Sequence, residues 1–229
     1  MPTQLDVAVD GVTLRLRVWP AADPSRPPVV LLPATAETAE DWDVVASALR
    51  HAGTVYAVNL RGHGPSDWPG TYSIQAMADD VTGLLRQLGP PVDLVGHSLG
   101  GLVACTVASA HPELLRRLVL EDVGLLHPRP AAMPARPDGV LPFDWRMVEQ
   151  VRPEIDDPDP RWPAVVARIA APTLVIAGGP SSPVPQEHVA ELVRTIPDGR
   201  LVTVDAGHLV HAKRPEEFTH HLQAFLDDR

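Results

Sequence analysis

The chain has almost no cysteine and almost no lysine. Of its 229 residues, one is a cysteine, Cys105, and one is a lysine, Lys213. A lone thiol has no disulfide partner, which excludes a cystine-stapled scaffold. The 19 basic residues face 29 acidic ones, a formal charge of −10. Nucleic-acid binders carry a basic face, and anionic membrane surfaces ask for the same. Neither nucleic acid nor membrane is expected as a partner. No apolar run reaches the ~18–20 residues of a membrane span. Met1–Val9 shows no basic region followed by an apolar run, so no leader peptide is expected. A free thiol suits a reducing compartment, and the expected location is cytoplasmic. No Gly-x-Gly-x-x-Gly follows a strand and no phosphate-binding P-loop is present, so no nucleotide cofactor is expected.

What is there reads as one soluble domain, residues 1–229. Hydrophobic residues make up 45% and charged residues 21%, enough to build a core. The 26 prolines and 16 glycines stay below the ~25–30% share that marks low complexity. Leu5, Val7 and Val9, then Val12, Leu14, Leu16 and Val18, alternate with polar residues around Asp10-Gly11, the pattern of an antiparallel hairpin. Short apolar runs then alternate with amphipathic stretches. The spacing predicts strands at Val29–Leu32, Val55–Leu60, Val92–Val95, Leu118–Leu120, Thr173–Ala177 and Leu201–Val204. Helices are predicted at Thr38–His51, Ser73–Leu88, from Ser98 onward, and at Gln186–Thr195 and Pro215–Leu226. Such alternation implies an α/β fold, a mostly parallel sheet with helices on both faces. Between Gly124 and Pro163 the rhythm breaks. Nine prolines and two short helical fragments, Trp145–Val151 and Trp162–Ile169, mark an insertion. Its apolar residues suit a small-molecule pocket. The acidic run Asp156, Asp157, Asp159 within it reads as solvated loop.

The chemistry is concentrated at Gly96-His97-Ser98-Leu99-Gly100-Gly101. A Gly-x-Ser-x-Gly turn between a buried strand and a helix is a nucleophile elbow, with the serine hydroxyl lifted out of the sheet and the helix N-terminus behind it. A serine hydroxyl needs a base. Of ten histidines, His208 is the candidate, because Asp205-Ala206-Gly207-His208 follows the last strand, at the carboxyl end where ligands gather in open α/β sheets. His51, His111, His127, His188, His220 and His221 read as surface or partly buried helix residues. His63 and His97 read as loop hydrogen-bonders, and His211 as packing or touching substrate. Histidines without clustered carboxylate or cysteine partners do not suggest a metal site.

With these motifs in hand, the chain resembles the α/β-hydrolase family over nearly its whole length. The likeness rests on the elbow, on Arg61-Gly62-His63-Gly64-Pro65-Ser66, and on Gly207-His208 followed by Arg214-Pro215-Glu216-Glu217-Phe218. It is nearest to small esterases and C–C hydrolases with a short cap. The resemblance implies an α/β-hydrolase fold with residues 124–163 as cap, and an oxyanion hole made by the N–H groups of Thr35 and Leu99.

Two departures stand out. Where the family carries His-Gly after the first parallel strand, this chain has Pro33-Ala34. Where it carries an acid after the next-to-last strand, this chain has Gly178-Gly179-Pro180-Ser181-Ser182-Pro183, with no carboxylate. Some members place the acid after the strand that follows the nucleophile helix, here Leu118-Val119-Leu120-Glu121-Asp122. Neighbouring strand residues point to opposite faces, so only one of the pair faces the histidine. Asp122 fits better, Glu121 is the alternative, and a dyad assisted by Ser181 or Ser182 is the third. The expected activity is hydrolysis of a small, mostly apolar ester, lactone or thioester through an acyl-enzyme on Ser98. C–C cleavage beside a ketone and non-catalytic binding of a small molecule are the alternatives.

Overall fold

A computed structural model describes residues 2–89 and 91–228; the reading of Met1–Val9 falls partly outside them. Eight strands form one sheet: β1 (Thr3–Val9), β2 (Val12–Trp19), β3 (Val29–Leu32), β4 (Val55–Val58), β5 (Val92–His97), β6 (Leu115–Glu121), β7 (Thr173–Ala177) and β8 (Gly199–Thr203). Their order across the sheet is β1-β2-β4-β3-β5-β6-β7-β8. β1 and β2 pair antiparallel, β2 pairs antiparallel with β4, and all other pairs are parallel. Asp10 and Gly11 make the two-residue turn of the expected hairpin, with φ of 44° and 87°. A turn of that hand matches the twist of its strands.

The helices are α1 (Asp43–Leu49), α2 (Ile74–Leu88), α3 (Leu99–Ala110), α4 (Trp145–Asp156), α5 (Trp162–Val166), α6 (Gln186–Thr195), α7 (Val210–Lys213) and α8 (Pro215–Asp227). Strand parity divides the core in two. Val30, Leu32, Leu118, Leu120 and Val175 pack on one face with Met77 and Val81 of α2 and Val103 and Val107 of α3. Val29, Leu31, Val119, Leu174 and Ile176 pack on the other with Val45 of α1 and Phe218 and Leu222 of α8.

After β3 the chain moves to β4, then returns past β3 to β5. The helices on these two connections, α1 and α2, lie on opposite faces. The chain leaving β3 enters α1 and the chain leaving β5 enters α3, on opposite faces, and such a point at the carboxyl ends of the strands is where open α/β sheets bind ligands.

Several boundaries differ from expectation. The helix expected from Thr38 starts as a single 3₁₀ turn, Ala39–Trp42, before α1. Thr38 N–H donates to Asp41 Oδ2 at 2.7 Å there. β4 ends at Val58 and β6 starts at Leu115. α4 continues past Val151, through Pro153, to Asp156. A proline near a helix end removes one hydrogen bond without stopping the last turn. The four-residue α7 was not expected. No helix among the described residues is long and apolar enough to cross a membrane.

Candidate active site

Ser98 sits between β5 and α3 with φ 49° and ψ −113°, a strained backbone that a side chain adopts only when its surroundings enforce it. The flanking glycines allow it. A methyl group added to Gly96 would run into the Gly100 carbonyl, and one on Gly100 would lie 2.5 Å from the Pro33 carbonyl oxygen. Ser98 N–H donates to the Glu121 carbonyl at 3.1 Å, and Gly100 N–H to that of Pro33 at 3.1 Å. The elbow is thus tied to both neighbouring strands.

His208 Nδ1 lies 2.7 Å from Asp122 Oδ2. Asp122 Oδ2 also accepts from Ser182 Oγ at 2.5 Å, and its Oδ1 from Gly178 N–H at 2.9 Å. The carboxyl is fully buried. Burial would raise its pKa, but the bonds from His208, Ser182 and Gly178 outweigh burial and hold it below the usual carboxylate value. Asp122 is therefore ionised and fixes His208 with Nδ1 protonated, leaving Nε2 to accept a proton. The serine loop after β7 meets this carboxyl. Ser182 orients Asp122, while Ser181 Oγ turns away to Asp205 Oδ1 at 2.7 Å. Ser98, His208, Asp122 and Thr35 border one cleft of about 620 Å³. Among the described residues no hydrogen bond joins Ser98 Oγ to His208. Such contacts often tighten only in the reactive complex. Leu99 is the first residue of α3, so its N–H is one of the unpaired amides of a helix start. A smaller cavity of about 410 Å³, beside Arg26, Arg116 and Arg117, borders neither Ser98 nor His208.

Glu121 is not the partner of His208. Parity sends it to the opposite face, where its carboxylate accepts from His211 N–H and His211 Nδ1 at 2.9 and 2.8 Å. His211 stacks on Trp42 with ring centroids 4.3 Å apart. His97, also on that face, places Nδ1 2.9 Å from Glu37 Oε2 and Nε2 2.8 Å from the His208 carbonyl. Both partners are acceptors, so both ring nitrogens carry protons and His97 is a cation. Burial would lower its pKa. The charges of Glu121 and Glu37 and the His208 carbonyl win and raise it to about 9. Glu37 Oε2 also accepts Ala34 N–H at 3.0 Å. His97 therefore links the loop bearing Thr35 to the backbone of His208.

This network corrects the expectation that no histidine has clustered carboxylate partners. His97, Glu121 and His211 bring ligand-type atoms within 4.8 Å of one another. These residues make hydrogen bonds at 2.8–2.9 Å, which a cation would have to displace, so the donor set is that of a proton network. His63 bonds the Arg61 carbonyl at 3.1 Å, and burial lowers its pKa to about 4, so it is neutral.

Other cleft residues were not legible in the sequence. His127 and His188 are partly buried and line the cleft, with rings 4.5 Å apart; His188 lies on α6 as a partly buried helix residue, while His127 lies outside any helix. Asp156, expected in solvent, is buried at the end of α4. Its oxygens accept from Arg129 Nε at 2.7 Å, Arg152 Nε at 2.8 Å and Ala132 N–H at 3.0 Å. The run of acids suggested solvation, but α4 turns Asp156 inward while Asp157 stays exposed.

The geometry is matched by kinship. Residues 27–164 match the family model described as alpha/beta hydrolase fold. An sn-1-specific diacylglycerol lipase of Mus musculus is 28% identical over 252 residues, covering 89% of this chain and 82% of the relative. An esterase of Mycobacterium tuberculosis is 40% identical over 102 residues, 43% of this chain and 34% of the relative. Among solved structures, the enol-lactonase from Burkholderia xenovorans LB400 superposes with a TM-score of 0.88 at 24% identity, covering 98% of this chain and 100% of that one; at that identity the likeness speaks for the fold alone. The family match spans more than half of the chain, and with it the chain belongs to the α/β-hydrolase family.

Proposed function

We propose that the chain is a serine hydrolase of small, mostly apolar carboxylic esters, lactones or thioesters. The observation that carries this reading is the His208–Asp122 pair at 2.7 Å, bordering the same cleft as Ser98. Ser98 Oγ attacks the carbonyl carbon, and its proton passes to His208 Nε2. The N–H groups of Thr35 and Leu99 receive the developing oxyanion. Each such donor is worth about 3 kcal/mol of barrier. Asp122 holds the imidazole in register and stabilises its charged form. His208 returns the proton to the leaving alkoxide or thiolate, and a water activated by His208 releases the acyl group. Residues 124–163 act as the cap. Leu125, Met147, Val148 and Val151 from this stretch line the cleft, which suits an apolar acyl or alcohol portion. The lipase and esterase relatives support ester cleavage over C–C cleavage.

The test is a stopped-flow assay with p-nitrophenyl butyrate. An acyl-enzyme gives a burst of nitrophenolate that scales with enzyme concentration and is lost in Ser98→Ala. Turnover of this ester and of a panel of esters and thioesters at the same rate in Ser98→Ala as in the native chain would overturn the reading.

A further inference from the structure

The cleft that Ser98 borders is also lined by cations. Arg129, from the loop after β6, and Arg152, from α4, both line it. Arg152 follows Val151 and lies four residues after Val148, and all three border the cleft. This is the spacing of one helix face, so the guanidinium continues the apolar wall rather than leaving it. The two arginines share one counter-charge, the buried Asp156, and both bind it through Nε. Among the described residues, no hydrogen bond joins their terminal nitrogens to a protein acceptor. Asp156 spends its remaining capacity on Ala132 N–H and is not itself among the lining residues. Two cations share one hydrogen-bonded carboxylate, so one positive charge of this trio has no carboxylate bonded to it. Glu149 and Asp157, near Arg152 in sequence, are exposed and do not line the cleft; Asp122 does line it, but is bonded to His208, Ser182 and Gly178.

In a chain with a formal charge of −10, two arginines beside the apolar residues of α4 give the cleft a feature that selects its ligand. Low-dielectric walls focus the field of such charges, and terminal guanidinium nitrogens present the planar fork that recognises a carboxylate or phosphate. Building on the hydrolase reading, we propose that the substrate is an ester or thioester with an apolar middle and an anionic far end. Its carboxylate or phosphate docks on Arg129 and Arg152 while the scissile carbonyl lies at Ser98. The charge sits on either the acyl or the alcohol side.

Two matched ester pairs read this directly. p-Nitrophenyl hydrogen adipate is compared with p-nitrophenyl hexanoate for the acyl side, and 4-acetoxybutanoate with butyl acetate for the alcohol side. In at least one pair, kcat/KM for the anionic ester should exceed that for the neutral ester by roughly tenfold or more at low salt. The advantage should shrink with added sodium chloride. Arg152→Gln and Arg129→Gln should each cut the ratio, whereas Arg152→Lys, which keeps the charge and loses the fork, should keep only part of it. A purely structural role in holding Asp156 would lower both esters together and leave the ratio unmoved. Monomethyl adipate and methyl hexanoate, and the acetate pair likewise, are then titrated calorimetrically into the Ser98→Ala chain. Equal affinity within each pair, or ratios near one that the arginine variants do not change, overturns the proposal while leaving ester hydrolysis intact. Preference for the anion without turnover by the native chain would sink the hydrolase reading and keep the anion site.

Discussion

Replacing Asp122 by asparagine alters one charge and little else. Asp122 has a φ of 49°, a conformation that asparagine tolerates better than most side chains. Its amide oxygen can still accept Gly178 N–H, now 2.9 Å from Oδ1. The amide NH₂ then faces Ser182 Oγ, which can rotate to accept, and His208 Nδ1, which must become an acceptor. That choice puts the remaining imidazole proton on Nε2, where a base for Ser98 must have none. The charge that balances imidazolium is lost as well. In a related triad the same change costs about 10⁴ in turnover, or about 5 kcal/mol of barrier. The folded state loses one charge-assisted bond, about 1–3 kcal/mol. The assay pairs kcat for p-nitrophenyl butyrate with thermal unfolding. A large loss of kcat in a folded protein is expected, and Glu121→Gln should lose less because its carboxylate serves His211. Turnover of Asp122→Asn within tenfold of the native chain would refute the assignment.

Three further outcomes follow from the structure. His97 is held protonated, with a folded pKa of about 9 against an ordinary 6.5; its contribution to stability is complete below about pH 6.5 and is lost as pH rises through 9. Urea unfolding across that window should show the loss, and His97→Gln should remove most of the pH dependence together with about 3–5 kcal/mol. Gly100→Ala sets a methyl 2.5 Å from the Pro33 carbonyl oxygen, which must displace the loop bearing Thr35. At least a hundredfold fall in kcat is expected, from the scale of one oxyanion donor. Asp156→Ala removes the acceptor for Arg129, Arg152 and Ala132, and limited proteolysis should then cut within residues 128–136 faster than in the native chain.

Much of this site could be read in one dimension because its chemistry lies at strand ends. Ser98, Asp122 and His208 each follow a strand; strand parity lets only one of Glu121 and Asp122 face the histidine, and the place at the strand end favours Asp122. That parity also sent Glu121 and His97 to a common face, but their partners come from elsewhere. Glu37 is 60 residues from His97, and His211 is 90 from Glu121. No local pattern announces contacts of that range. The residues 124–163 were legible only as an interruption. Proline density obscured the end of α4, and with it the inward turn of Asp156 that draws Arg129 and Arg152 together. The positions of His127 and His188 depend on how that loop lies over α6, which no periodicity records.

On the proposed reading, Ser98 is an activated nucleophile whose base is held by an acid at Asp122. Intact mass after exposure to a small fluorophosphonate tests it most directly, with the modified peptide then located. One adduct on Ser98 is expected in the native chain, none in Ser98→Ala, and far slower labelling in Asp122→Asn. Labelling of the native chain no faster than of Asp122→Asn, or an adduct that persists in Ser98→Ala, would contradict the account.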